Sequence, residues 1–360
     1  MFARIALFAL AVTACSPEGG NASAPADTTV VPAPEATSVA LSAPAGPPRP
    51  GELKTFRDWT VGCDNGGGCK MASLGPEMGD FPVVTMSVAR DAGPNGGWKV
   101  ELSANDADPD GVSVDGKRIA RGGDDYQGAE AAAIVTAMIN GKALAALDKA
   151  GTAMGNVSLA GASAALRYID AAQGRAGGVT AAVAKGTKSA DAVPQAPALP
   201  VIASPKPGGD AAKPTAAQVA EMRKTAGCDA DGFVSEQAAE SHALGDGATL
   251  VFVPCSTGAY NLSSALFILR DGAVTPATVD VPTGFTEGDA ATAPAQVVNG
   301  DFDDGRVTSY AKGRGLGDCG VAQELAWDGT RLRLVEQSQM GECRGNTDTI
   351  TTWRARVVRK

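Results

Sequence analysis

The residues whose types and spacing most suggest chemistry are acidic. Asp106-Ala107-Asp108-Pro109-Asp110-Gly111 spells the opening of a calcium loop. Alternating carboxylates around a glycine turn would supply several of the six or more oxygens that calcium needs. The twelfth position is Lys117 rather than a bidentate Glu, and the flanks read as strands. An acidic turn therefore competes with calcium at Asp106, Asp108 and Asp110, and Asp115 is a substitute oxygen donor. A second cluster, Asp301-Phe302-Asp303-Asp304-Gly305, is a poorer match. Gly315-Leu316-Gly317-Asp318-Cys319-Gly320 has the letters of a dinucleotide fingerprint. That fingerprint must follow a strand and open a helix; here a strand follows, so the stretch reads as a glycine-rich loop. Its charges Lys312, Arg314 and Asp318, with Tyr260, Asn261 and Arg344, form a candidate anion-tolerant binding surface, weighed against a solvated face. Nucleophilic catalysis finds little support. The only histidine is His242, and no Gly-x-Ser-x-Gly elbow is present. No catalytic residue is assigned. Paired carboxylates for glycoside cleavage stay open, since such partners need not be close in sequence.

The cysteines carry a second kind of chemistry. Arg4 and the apolar run Ile5–Ala14 end in Val12-Thr13-Ala14-Cys15. The run is too short to span a bilayer as a helix and fits a bacterial signal peptide. Small residues before a cysteine resemble a lipobox, which would make Cys15 the lipidated first residue of the mature chain. By resemblance to lipoprotein sorting, the non-acidic Ser16 points to the outer membrane rather than the inner, facing the periplasm. Of seven cysteines, Cys63, Cys69, Cys228, Cys255, Cys319 and Cys343 then remain. An even number in an oxidising compartment reads as a disulfide framework, with fifteen pairings open. Neighbours in order are favoured: Cys63–Cys69, Cys228–Cys255 and Cys319–Cys343, the last bracketing an expected hairpin. No Cys-x-x-Cys pair supports a metal site instead.

These residues must be positioned by elements, and composition bounds what those can be. The chain has 360 residues, 44% hydrophobic but only 5% aromatic, and a net charge of -9. That sign repels phosphate backbones, so no nucleic-acid partner is expected. The stretches 16–50 and 189–214 hold 14 of the 22 prolines and little that could be buried. The expected organisation is a lipoprotein signal peptide (1–14), a disordered tether (15–51), an N-terminal domain (52–188), a linker (189–214) and a C-terminal domain (215–360).

In the first domain, apolar alternation predicts strands at 56–61, 81–89 and 98–103, and a hairpin turning at Asp115-Gly116. Ala-rich helices are predicted at 128–148 and 158–172, the latter capped by Ser158. In the second, a helix over Thr215–Thr225 precedes strands at 250–253, 265–270, 306–311, 321–327, 331–336 and 350–358. Asp271-Gly272 and Asp328-Gly329 turn two of its hairpins. Trp59, Trp98, Trp327 and Trp353 sit in strand contexts and read as core. The expected class is α+β: two small disulfide-stapled domains, antiparallel sheets with packed helices.

Several long stretches carry a resemblance. They are Phe56-Arg57-Asp58-Trp59-Thr60-Val61-Gly62-Cys63-Asp64-Asn65 and Ser158-Leu159-Ala160-Gly161-Ala162-Ser163-Ala164-Ala165-Leu166-Arg167-Tyr168-Ile169-Asp170. Further on stand Pro254-Cys255 with Gly258-Ala259-Tyr260-Asn261, Lys312-Gly313-Arg314-Gly315-Leu316-Gly317-Asp318-Cys319-Gly320, Trp327-Asp328-Gly329 and Cys343-Arg344-Gly345. The chain resembles an uncharacterised bacterial exported family, domain of unknown function 1176. The resemblance implies an exported location and paired cysteines, and no activity. The Trp-x-x-x-Cys opening also resembles the invasion-associated locus B family over a short span. The expectation is a lipid-anchored envelope protein that binds a partner protein or envelope polymer without catalysis. The alternative is a carboxylate-based hydrolase of cell-wall material.

Overall fold

A computed structural model describes residues 46–78, 80–105, 108–228, 232–284 and 294–360. They belong to one compact unit, Leu41–Lys360. The signal peptide, Cys15, most of the tether and Asp106 lie outside the described residues.

The first lobe is built on two antiparallel sheets. Its elements are β1 (Lys54–Phe56), β2 (Trp59–Cys63), β3 (Cys69–Ser73), β4 (Val84–Arg90), β5 (Trp98–Ala104), β6 (Gly111–Val114), β7 (Lys117–Arg121), β8 (Asp125–Gln127), α1 (Gly128–Met138), β9 (Ala143–Leu147), β10 (Ala153–Ser158) and α2 (Ala162–Ala172). One sheet runs β1-β2-β3-β4-β5-β8 and the other β10-β9-β6-β7. Strand β5 shows why they form: Trp98, Val100 and Leu102 point inward while Lys99 and Glu101 face water. Helices α1 and α2 complete a core in which Trp59, Met71, Met86, Ile134, Met138, Leu166 and Ile169 are buried.

The second lobe begins with β11 (Val201–Ser204), α3 (Ala216–Ala226) and α4 (Phe233–Glu236). There follow β12 (Glu240–Gly245), β13 (Ala248–Gly258), β14 (Asn261–Arg270), β15 (Ala273–Pro276), β16 (Gln296–Val298), β17 (Asp301–Asp303), β18 (Arg306–Lys312), β19 (Gly320–Trp327), β20 (Leu332–Met340), β21 (Ile350–Arg354) and β22 (Arg356–Arg359). Sheet β12-β13-β14-β15, with β16 beside β14, packs on sheet β17-β18-β19-β20-β21. Strand β13 is buried on both faces. Leu250 and Phe252 join the inter-sheet core, while Val251, Val253 and Cys255 meet Met222 of α3 on the reverse.

The α+β expectation is overturned: 42% of the chain is strand and 13% helical. Among the described residues there are four helices, none longer than 11 residues. The reason is visible at 128–148. The helix stops at Met138, and beyond Gly141 the run Ala143–Leu147 is strand β9, with Leu144 and Ala146 buried. An Ala/Leu run suits either state, and packing against β6 and β10 decides it. The second helix starts later than expected. Gly161, at φ 96°, is its N-cap, because a Cβ there would collide with the carbonyl oxygen of Phe56. Ser158 instead ends β10. The third helix is placed as the sequence predicts, with a capping box between Thr215 and Gln218.

The Pro/Ala-rich stretch 189–214 is laid into the body. Val193, Ile202 and Ser204 are buried, and β11 pairs in parallel with β22. Proline enrichment signalled a lack of regular structure, but alternate apolar residues of Val201–Ser204 still find a sheet face to cover. The expected strand 350–358 accordingly breaks at Ala355 into β21 and β22. The three hairpin turns at Asp115-Gly116, Asp271-Gly272 and Asp328-Gly329 are all present. The four tryptophans are core residues, at most 9% exposed.

Candidate functional site: a braced loop where the lobes meet

The loop 313–319 joins β18 to β19, and its ends are closed by register. Lys312 opposes Gly320, and the Gly313 N–H donates to the Cys319 carbonyl at 2.8 Å. Gly317 turns the chain at φ 71°, a left-handed conformation that glycine adopts without strain. Cys319, 2% exposed, is bonded to Cys343 just beyond β20. Inside the loop, the Arg314 guanidinium forks onto Asp318 through Nε at 2.7 Å and through Nη2. Asp318 is fully buried and also accepts the Gly345 N–H at 2.6 Å. Burial alone would raise the Asp318 carboxyl, but Arg314 and the Gly345 amide outweigh it and hold the carboxyl below its ordinary value.

This loop is fastened to the first lobe by its neighbour Arg344. Nε donates to the Gly75 carbonyl at 2.6 Å, Nη1 to the Arg57 carbonyl at 3.0 Å and Nη2 to Asp58 at 2.9 Å. The Gly75 N–H returns a bond to the Arg344 carbonyl, and Asn346 donates to the Ser73 carbonyl. Beneath lies a small apolar cluster of Ala72, Leu74, Cys319, Met340 and Ile350 from both lobes. The Trp59 indole N–H donates to the Ser158 carbonyl, tying the β1–β2 hairpin to the end of β10.

Two aromatic rings flank the loop on its outer side. The Arg314 guanidinium lies 5.2 Å from the Phe81 ring centroid. The Tyr260 ring covers Gly315 so closely that a Cβ there would come within 2.6 Å of it. Both rings are open to solvent, Phe81 at 57% and Tyr260 at 72%. Leu316 on the loop and Met78, three residues before Phe81 in sequence, are also exposed, at 49% and 89%. The six residues singled out from sequence thus divide. Asp318 and Arg344 are braces. Asn261 is structural, exchanging bonds with the main chain of Lys312. Tyr260 is exposed, Arg314 and Lys312 are half-exposed, and the Lys312 ammonium has no ion-pair partner among the described residues. Sequence reasoning missed Met78, Phe81 and Leu316. The 81–89 run read as one strand, but β4 begins only at Val84, which leaves Phe81 outside.

The segments around Asp58, Lys312–Gly320 and Cys343–Gly345 therefore meet at one junction, while Trp327 and Cys255 belong to cores elsewhere in the second lobe, and comparison with known proteins gives the chain a family. The model of the protein of unknown function family DUF1176 matches residues 53–358. The chain belongs to this family. It is also similar to the uncharacterized protein YpfG of Escherichia coli (strain K12), 29% identical over 339 residues, covering 85% of this chain and 91% of that protein. No solved structure matches.

Other candidate chemistry in this DUF1176 chain is placed as follows. The three cysteine pairs are Cys63–Cys69, Cys228–Cys255 and Cys319–Cys343. At the acidic turn, Asp108 is exposed, and the Asp110 N–H donates to Leu147 at the entry to β6. The Asp115 carboxylate is already occupied by the N–H groups of Lys142 and Ala143. Asp301–Gly305 forms β17 and a tight turn into β18, with Asp304 and Gly305 at positive φ. Among the described residues, no group of three or more His, Cys, Asp or Glu is placed to hold a metal. His242 is stacked 4.7 Å from Phe302 and edge-on to Phe252, which gives it a packing role. No helix among the described residues is long and apolar enough to cross a membrane.

Proposed function

We propose that this chain is a lipid-anchored protein of the bacterial cell envelope, held through Cys15, that binds a partner protein or envelope polymer and performs no catalysis. The observation that carries the binding role is the exposed apolar side chains at the loop: Phe81 beside Arg314, Tyr260 over Gly315, and Leu316 on the loop itself. Apolar side chains exposed together and rimmed by polar groups mark interaction sites. Aromatic, Met and Arg residues are also the types enriched where proteins bind. Their support is rigid: a disulfide, a buried carboxylate and the Arg344 fork fix the loop before any partner arrives. A preorganised loop loses little entropy on docking. Export is supported by the signal-like N-terminus and by cysteines that are all paired once Cys15 is set aside.

A photoreactive side chain at Phe81 or Tyr260 tests the binding role in the native envelope. A discrete adduct is expected there, and none from the same probe at exposed Val179. The triple change Phe81→Ser, Tyr260→Ser, Leu316→Ser should abolish capture while the far-UV spectrum and melting temperature hold. Capture that survives the triple change refutes the surface. Mass spectrometry of the mature N-terminus tests the anchor: acyl chains on Cys15 are expected, and their absence refutes it.

One observation favours the hydrolase reading as a second possibility. Glu324 and Glu336 oppose each other across β19 and β20. Arg306 holds Glu324 at 2.9 Å, while burial and the facing Glu324 push the Glu336 carboxyl upward. Against it, both lie on an open sheet face, and Glu336 is only partly covered. Soluble fragments released from purified cell wall by the wild type, and not by Glu336→Gln, would favour hydrolysis.

A further inference from the structure

Away from the junction, a cavity of about 560 Å³ opens between α3, the segment before it and the chain entering β12. It shares no lining residue with the loop 313–319. Its volume falls in the range that holds small ligands, roughly 300–1,000 Å³. Among the described residues its charge is one-sided: Lys213 and Arg223 line it, and no described Asp or Glu does. Neither cation has an ion-pair partner among the described residues, although the chain as a whole carries -9.

Arg223 is half-buried and held without a carboxylate. Nη1 donates to the Pro254 carbonyl, and Nη2 donates to the carbonyls of Val234 and Gln237. These bonds fix the guanidinium but leave its charge unneutralised. Its Nε–H and one Nη1–H have no acceptor among the described residues. A partly desolvated cation of this kind gains more from an anion than a fully solvated one would. The remaining walls are mainly apolar, with Pro214, Val219, Ala238 and Ala239 beside the polar Gln237 and Ser241. The Cys228–Cys255 bridge and the Thr215 capping box hold the surrounding elements in place.

We propose that this cavity is a binding site for a small amphiphilic anion, a carboxylate with an aliphatic tail. The carboxylate pairs with Arg223 and Lys213, and the tail lies along Val219, Ala238 and Ala239. Planar carboxylate oxygens match the free guanidinium donors. An anion entering an acidic protein meets this site as a local positive well, so its affinity falls as salt rises.

The test uses the full chain and octanoate as the probe, read by calorimetry and by amide chemical shifts. Saturable binding is expected by about 10 mM, the range in which a millimolar site fills. Shifts should centre on Ala238, Ala239 and Ser241. Octanol and octyltrimethylammonium should not compete. Lys213→Glu, on an exposed side chain, should fold normally and weaken octanoate about tenfold, the scale of one charge-assisted bond. Arg223→Lys, with melting temperature as the folding control, should weaken it by a similar factor. Absence of saturation, shifts centred elsewhere, equal binding of the cationic amphiphile, or unchanged affinity in folded Lys213→Glu would each overturn the proposal.

Discussion

The least replaceable side chains here are buried charges. Asp170, fully buried at α2, accepts Arg90 at 3.4 Å and the N–H groups of Ala182, Val183 and Ala184. One carboxylate thus organises the loop after α2. Burial and then the nearby Arg175 draw the Arg90 guanidinium down to about 10, against the pull of Asp170. Asp170→Ala strands Arg90 and three amides, and should cost about 3–5 kcal/mol in urea unfolding. Asp318 offers a pH signature. Its folded value is depressed, so its stabilisation is present above the unfolded value of about 3.9 and is lost as pH falls through the folded one. Asp318→Asn should therefore melt lower than wild type near neutrality, and the two melting curves should converge in strong acid.

Among the elements, β19 and β20 carry the opposite sign. Glu336 has a raised carboxyl, so the folded state holds its proton more tightly than the unfolded chain does. Its contribution is most favourable below about pH 4 and is lost as pH rises through the folded value. Glu336→Gln removes the repulsion with Glu324, so the variant should gain stability over wild type at pH 7, and that gain should shrink towards pH 4. The disulfides rank by the loops they close, spanning 27, 24 and 6 residues. Replacing Cys228–Cys255 or Cys319–Cys343 should cost about 3.5 kcal/mol, and Cys63–Cys69 about 2 kcal/mol. Guanidinium titrations of the paired Cys→Ser variants measure that order.

At the scale of the whole molecule, the two lobes are coupled through a small apolar cluster and the Arg344 fork. Arg344 has 11% of its side chain exposed, so its loss uncovers carbonyls that water reaches poorly. Arg344→Ala combined with Leu74→Ala should split calorimetric unfolding into two transitions, one for each core. A single transition at lower temperature would place the coupling elsewhere. The loop 313–319 sits on this same junction, so loosening the lobes should also loosen Phe81 against Arg314.

What the sequence determined by itself is local. The two-residue turns at Asp115 and Asp271 are encoded by Asp-Gly pairs, the four-residue turn 328–331 by the Asp328 carboxylate that accepts the Thr330 and Arg331 N–H groups, and the α3 cap by Thr215 with Gln218, because each needs only nearby residues. Neighbour pairing of the cysteines was favoured by sequence but not fixed by it, because fifteen pairings stay open and an expected hairpin supports only the last pair. Strand against helix at 143–147, the burial of Ile202 in a proline-rich stretch, and the division of Arg344 and Asp318 from Tyr260 were decided only by the tertiary structure. An Ala/Leu run suits either state, and a charged side chain becomes a brace or a contact according to what lies opposite. Asp58 and Gly75 stand more than 260 residues from Arg344 in sequence, so no local spacing could announce that they meet.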